Sequence, residues 1–369
     1  MLERIRSRLF QGKVVVLMGA RQTGKTSLVK KLLADFDGNA VFLNADRVEV
    51  RRKLTDPSLA VLREVAGGKK LLVIDEAQRI RNIGLTLKIF ADELPDIQVI
   101  ATGSSSFDLA NEIKEPLTGR KWEYTLFPIA WRELVAATST LEAREQLESR
   151  LIYGMYPEVI NQQGQEREVL LSLSGSYLYK DIFEFRGVRK PELLEKLLQA
   201  LALQLGSEVS YNELSQLLGI DKNTVSSYLE LLEKSFIVFR LMPLSRNLRN
   251  EISSNRKVYF YDNGIRNAVL ENFSPLTLRQ DTGALWENFL ISERWKFNNY
   301  SQHHGKRYFW RTKTQQEIDY VEESNGVFRA WEFKWGQYSR YTFPSSFVES
   351  YGPVATEIVT PSNFEDFFS

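Results

Sequence analysis

The chain is expected to fold as an α/β protein of several domains, and three patterns carry that expectation. An apolar, β-branched run from Val14 to Met18 leads through a glycine-containing loop into "TSLVKKLLADF", whose apolar residues recur at helical spacing. Two more apolar runs, Leu71 to Ile74 and "IQVIATG", end in polar residues, as buried strands do when their tips face a site. Near the carboxy terminus a long helical pattern precedes three short alternating strands, "RYFWRTK", "QEIDYVEE" and "FRAWEFKW". With 369 residues, the chain can build more than one core.

Composition narrows the chemistry. The absence of cysteine excludes disulfides, thiolate metal sites and cysteine nucleophiles, and suits a reducing compartment. The two histidines, His303 and His304, are adjacent, a spacing that suits a solvated turn better than a ligand set or a Ser-His-Asp triad. A formal net charge of +1 leaves any nucleic-acid contact to local patches. The amino terminus, basic and then apolar, imitates a secretory signal, but its short apolar run enters "RQTGKTS" with no cleavage pattern. No run approaches the roughly 18 apolar residues of a membrane span, so the expected location is cytoplasmic, without membrane contact.

The loop after the first strand reads Gly19-Ala20-Arg21-Gln22-Thr23-Gly24-Lys25-Thr26, followed by Ser27, and fits GxxxxGK[ST]. Its glycines let backbone N–H groups turn towards phosphate oxygens, and the following helix start adds a favourable dipole. Lys25 is expected to neutralise the β and γ phosphates of ATP, and the Thr26 hydroxyl to ligate Mg²⁺. The second strand ends in Asp75-Glu76: Asp75 suits the magnesium shell and Glu76 suits polarisation of the attacking water. The third ends in Thr102, Ser104 and Ser105, where a hydroxyl, Ser104 or Ser105, can sense the γ-phosphate. Arg120, in "LTGRKWEY", has two readings: an arginine supplied to a neighbouring subunit's γ-phosphate, or a structural surface arginine.

"GARQTGKTSLVKKL", "LLVIDEAQRI", "ATGSSSFDL" and "LTGRKWEYTLFPIAWREL" together resemble the AAA-type ATPase domain of the large bacterial and archaeal family of ATP-binding proteins with a DUF4143 carboxy-terminal region. The resemblance implies an AAA+ type P-loop core over 1–135, with Gly19 to Thr26, Asp75 and Glu76 in their usual roles and Arg120 as a candidate arginine finger.

Residues 136–195 read as a helical connecting region, in which Asp181 matches an acidic position of the family without an assigned chemistry. From 196 to 270 the order is helix, "SYNELSQLLGI" with a capping serine, a turn at Gly219, a helix opening at Asp221 to Thr224, and the strand "FIVFRLMPL". This is the pattern of a winged helix-turn-helix. Asp221, Lys222, Asn223, Thr224 and Ser226 open its last helix, and Arg240, Arg246, Arg249, Arg256 and Lys257 against Glu251 form a basic excess. DNA contact and a purely structural or subunit-contacting role both remain open.

In 271–369, Glu287 on a helix, Asp319 on one strand and Glu332-x-Lys334 on the next suggest a divalent cation held by Asp319 and Glu332. Glu287 would complete the shell, with Lys334 orienting water or stabilising transition-state charge. The pattern resembles the PD-(D/E)XK nuclease fold, to which the DUF4143 region is similar, although Ile318 replaces the usual proline before the aspartate. The expected architecture is thus an α/β multidomain chain: P-loop NTPase (AAA+ type) core, winged helix-turn-helix and PD-(D/E)XK nuclease-like domain. The expected function is Mg-ATP hydrolysis coupled to a half that acts on DNA. The alternative is a nucleotide-dependent switch that binds a protein partner, with an inert nuclease-like domain; a homo-oligomer is a further expected possibility for partners.

Overall fold

A computed structural model of the chain describes residues 1–104, 113, 117–178, 190–245, 256–336, 341–352 and 354–368. Ser105, Asp181, Arg246, Arg249 and Glu251 lie outside the described residues. The chain divides into two compact units, the first Met1–Pro128 with Lys234–Phe236, the second Ile129–Glu233 with Ile237–Ser369.

The first unit is built on five parallel strands, β1 (Val14–Met18), β2 (Ala40–Asn44), β3 (Leu71–Asp75), β4 (Gln98–Gly103) and β5 (Lys121–Thr125), in the order β2-β3-β4-β1-β5. The apolar run that imitates a signal is β1, paired on both sides. Because side chains alternate along a strand, β1, β2, β3 and β4 each feed two cores. Val14, Val16, Leu72, Ile74 and Val99 pack with Ile83, Leu87 and Phe90 of the helix Ile83–Glu93. Val15, Leu17, Leu71, Val73 and Ile100 pack with Val29 and Leu32 of the helix Lys25–Leu33. Each such buried side chain contributes about 1.5–3 kcal/mol. That burial sets the register, which pairs Asn44 with Asp75, and Met18 with both Gly103 and Thr125, so all five carboxyl ends reach one edge.

The second unit carries a seven-stranded mixed sheet of β6 (Glu208–Val209), β7 (Val238–Pro243), β8 (Arg256–Phe260), β9 (Lys306–Arg311), β10 (Glu317–Ser324), β11 (Val327–Phe333) and β12 (Val354–Val359), ordered β12-β11-β10-β9-β7-β8-β6. β7 pairs antiparallel with β8 and parallel with β9, so the strands expected as a wing and those of the carboxy-terminal region share one sheet. Before them come the helices Pro191–Leu203, Tyr211–Leu218 and Lys222–Lys234; Ser210 caps the second through Glu213 N–H at 3.4 Å, and Gly219 ends it. Asp221 caps the third, accepting the N–H groups of Asn223 and Thr224 at 2.9 and 3.0 Å.

The helix Thr282–Tyr300 is enclosed on several sides. Trp286 and Phe289 join Trp131 and Phe364 in an aromatic core, while Glu293, Arg294, Lys296 and Asn298 are also buried. Those charges are paired, Lys296 with Glu293 at 2.5 Å and Arg294 with Glu322 at 2.7 Å, as burial of ions requires.

Candidate functional site

At the carboxyl edge of the first sheet, the chain leaves β1 at Gly19. A Cβ there would lie 2.1 Å from the carbonyl oxygen of Leu126, whose N–H donates to Met18 at 2.7 Å, so only glycine lets the two segments pass. The loop returns through Gly24, whose φ of 97° and ψ of 16° put it in the left-handed region at the start of the helix Lys25–Leu33. Between them, buried Thr23 donates its hydroxyl to Ala20 O at 2.9 Å, fixing the curve around Ala20, Arg21 and Gln22. The Lys25 ammonium is buried inside that curve and donates to Gly19 O at 2.8 Å and Ala20 O at 2.7 Å. Ser27 is exposed on the first helical turn.

Thr26 reaches across to β3: its hydroxyl donates to Asp75 Oδ2 at 3.0 Å. Thr102, at the tip of β4, donates to Asp75 Oδ1 at 2.5 Å and accepts the Glu76 N–H at 3.3 Å. Glu76 has a left-handed backbone, φ 56°, unusual for a side-chain-bearing residue, which turns the chain abruptly at the strand end. Its carboxylate accepts Gln78 Nε2 at 2.6 Å, and the same nitrogen donates to Ser104 Oγ at 3.0 Å. The structure thus gathers Lys25, Thr26, Asp75, Glu76 and Ser104 at one sheet edge. The buried Oε1 atoms of Gln22 and Gln78 have no hydrogen-bond partner among the described residues, so the loop's polar inventory fits a further polar group.

Arg120 is not brought there. It precedes β5, whose first residue Lys121 pairs with Val14, at the amino edge of the sheet. The strand between that edge and the loop spans roughly 15 Å. There Arg120 Nε meets Asp92 at 2.5 Å. Its finger role therefore requires a loop on another copy.

In the second unit, Glu287, Asp319, Glu332 and Lys334 fall within one electrostatic cluster, but not as a ready cation shell. Among the described residues no three His, Asp or Glu side chains are grouped to hold one metal ion. Glu287, expected to complete a shell, instead accepts Lys257 Nζ at 3.0 Å and the Tyr259 hydroxyl at 2.6 Å. Lys257 also meets Glu317 at 2.6 Å and is only 1% exposed. Burial opposes its charge, but Glu287, Asp319 and Glu317 outweigh that and raise the ammonium's pKa.

Asp319 accepts the Phe333 N–H at 2.8 Å, and Glu332 Oε1 meets Lys334 at 2.7 Å, leaving buried Glu332 Oε2 without a partner among the described residues. Burial, then the charges of Glu287 and Glu332, push the Asp319 carboxyl well above the usual range. Burial also pushes Glu332 up, against Lys334.

Sequence reasoning missed Gln78, although "DEAQ" was in view, and missed Tyr259 and Glu317. Lys257 and Arg240 belong to the basic excess for which DNA contact and a structural role were both open, and the structure turns both inward. Arg240 is bound to Glu233 at Nε, 2.7 Å, and to the Tyr211 hydroxyl at 3.0 Å.

Residues 11–135 match the model of an AAA domain family, 144–276 a domain of unknown function, DUF8612, and 282–367 another, DUF4143. An uncharacterized protein of Mycobacterium tuberculosis is 27% identical over 339 residues, covering 90% of this chain and 72% of its own length. One from Haemophilus influenzae is 23% identical over 275 residues, covering 69% and 68%. Among solved structures, a Walker-type ATPase of Pyrococcus abyssi superposes with a TM-score of 0.51 at 17% identity, over 73% of this chain and 93% of that one, a likeness of fold. No helix among the described residues is long and apolar enough to cross a membrane. The chain is thus similar over 11–135 to an AAA domain and over 282–367 to a DUF4143 region, with a fold like that of the Pyrococcus protein.

Proposed function

We propose that the first unit binds Mg-ATP and hydrolyses it. The observation that carries this reading is the single edge on which the Gly19–Thr26 loop, the Lys25 ammonium and the Thr26–Asp75–Thr102 hydrogen bonds meet. Loop N–H groups from Gly19 to Thr26 would hold the phosphates, and Lys25 would exchange its carbonyl bonds for phosphate oxygens. Thr26 and Asp75 would hold the magnesium ion, which when bound neutralises phosphate charge. Glu76 would accept the proton of the attacking water, and Ser104 would face the γ-phosphate. Arg120 would act only from another copy. Phosphate release by the full-length chain, with Lys25→Ala as the blank, tests the reading; equal rates would refute it.

A second reading concerns the other unit. Partnerless Glu332 Oε2 beside Asp319, whose carboxyl is raised, favours a site where those two strand acids share a cation, with Lys334 beside it. On that reading the nucleotide state governs a winged-helix and nuclease-like half acting on DNA. With Arg240 and Lys257 committed internally, DNA would be met by the exposed helix start at Lys222 and Asn223. Cleavage of duplex DNA by full-length protein with Mg²⁺, lost in Glu332→Ala and Lys334→Ala, is the expected result. No cleavage by wild type would favour the alternative of a switch that binds a protein partner.

A further inference from the structure

We propose that Gln78 is a positioning residue of the hydrolysis site, its amide tying the Glu76 carboxylate to the Ser104 hydroxyl and its carbonyl oxygen receiving a hydrogen of the attacking water. The inference rests on the hydrolysis reading above.

Its geometry follows from the turn after β3. The left-handed Glu76 opens a 3₁₀ turn, Ala77–Arg79, closed by Arg79 N–H to Glu76 O at 3.0 Å and Ile80 N–H to Ala77 O at 3.0 Å. Fully buried Ala77 and Ile80 anchor it, and Arg79 ties it to Asp46 beyond β2 at 2.9 Å. The turn folds the Gln78 side chain back over the strand end, where one nitrogen meets Glu76 at 2.6 Å and Ser104 at 3.0 Å. Ser104 follows Gly103 of β4, which pairs with Met18 immediately before the phosphate loop. A side chain from the turn after β3 therefore links the base to the strand lying beside the loop.

Hydrogen-bond chemistry fixes which end of the amide does this. An ionised carboxylate only accepts, so the NH₂ group must face Glu76. The carbonyl oxygen is left on the other side, buried and without a partner among the described residues. A buried acceptor in that condition is destabilising, and one water hydrogen offsets the loss. A water donating one hydrogen to Glu76 and the other to Gln78 Oε1 has its lone pair fixed in direction. In the reaction its oxygen bonds to the γ-phosphorus and the bond to the β–γ bridging oxygen breaks. ADP leaves with that electron pair, and the water's proton passes to Glu76.

The test compares full-length wild type, Lys25→Ala, Gln78→Met, Gln78→Glu and Ser104→Ala for steady-state phosphate release and for equilibrium ATP affinity. Gln78→Met should lower kcat about 10–100-fold, as loss of a group that orients the nucleophile does, with ATP affinity within about threefold. Gln78→Glu, nearly the same size but without the donor and with a like charge beside Glu76, should lose at least as much kcat while still binding ATP. Ser104→Ala should lose less, about 3–10-fold. Wild-type kcat in both Gln78 variants overturns the inference, as does a fall in affinity that accounts for the whole loss, the mark of a structural role. A wild-type rate equal to that of Lys25→Ala removes the hydrolysis reading and the inference with it.

Discussion

Asp75 in the first unit and Glu287 in the second are both enclosed carboxylates, but they are compensated differently. Asp75 is met by two hydroxyls, those of Thr26 and Thr102, and the nearby Lys25 ammonium donates to backbone carbonyls. Glu287 is met by a buried ammonium, and that same Lys257 also holds Glu317. A hydroxyl hydrogen bond to a carboxylate contributes about 1.5–3 kcal/mol net, whereas breaking a buried ion pair costs about 3–5 kcal/mol. The first arrangement can exchange partners for an arriving anion and cation; the second resists exchange. The first site takes its acid from a strand end and the second takes Glu287 from a helix, and only the first is built to let its acid change partners.

The sharpest way to break this comparison is Lys25→Ala. Hydrolysis of Mg-ATP should fall by about 10³-fold, to background, with weaker ATP affinity, because the γ-phosphate loses its fixed cation. A near-normal rate would mean that the loop does not bind phosphate.

Next comes Lys257→Ala, which leaves Glu287, Glu317 and Asp319 near one another without their ammonium. Urea unfolding followed through the second unit's tryptophans should show a loss of about 3–5 kcal/mol. Phosphate release by the folded fraction should persist. A loss below about 1 kcal/mol would show that the cluster does not depend on its lysine.

A smaller effect sharpens the same contrast through pH. Burial raises the Asp281 carboxyl pKa, but Arg279 and Arg266 outweigh it and hold the value at about 2, from an ordinary 3.8. A folded pKa below the unfolded one gives stability that is present above pH 3.8 and lost as pH falls towards 2. Allowing for its partial exposure, about 1–2 kcal/mol should disappear across that window, and Asp281→Asn should remove that part of the acid limb.

The smallest expected effect is that of Arg120→Ala on folding, within about 1 kcal/mol, since its pair with Asp92 is half exposed. Its effect on hydrolysis should appear only where copies meet. Rate per molecule against protein concentration, for wild type and variant, should diverge at high concentration if Arg120 serves a neighbouring loop, and coincide throughout if it is structural.

Much of the first site was legible because it is local. Gly19 to Thr26 are contiguous, and β1, β3 and β4 announce themselves as apolar runs whose last residues are polar, so Asp75, Glu76 and Ser104 could be placed at strand tips before any pairing was known. The strand pattern around Asp319 and Glu332 was legible for the same reason.

Other features depend on contacts between residues far apart in sequence. That β4 lies between β1 and β3, bringing Thr102 onto Asp75 and Ser104 onto Gln78, is settled by sheet order. Arg120 falls at the far edge because β5 runs parallel to β1, a matter of direction rather than composition. Lys257 and Glu287 are thirty residues apart. In the sequence one looks like a surface cation and the other like a metal ligand. Burial turns them into partners, because charges taken out of water must meet each other or remain uncompensated at far greater cost.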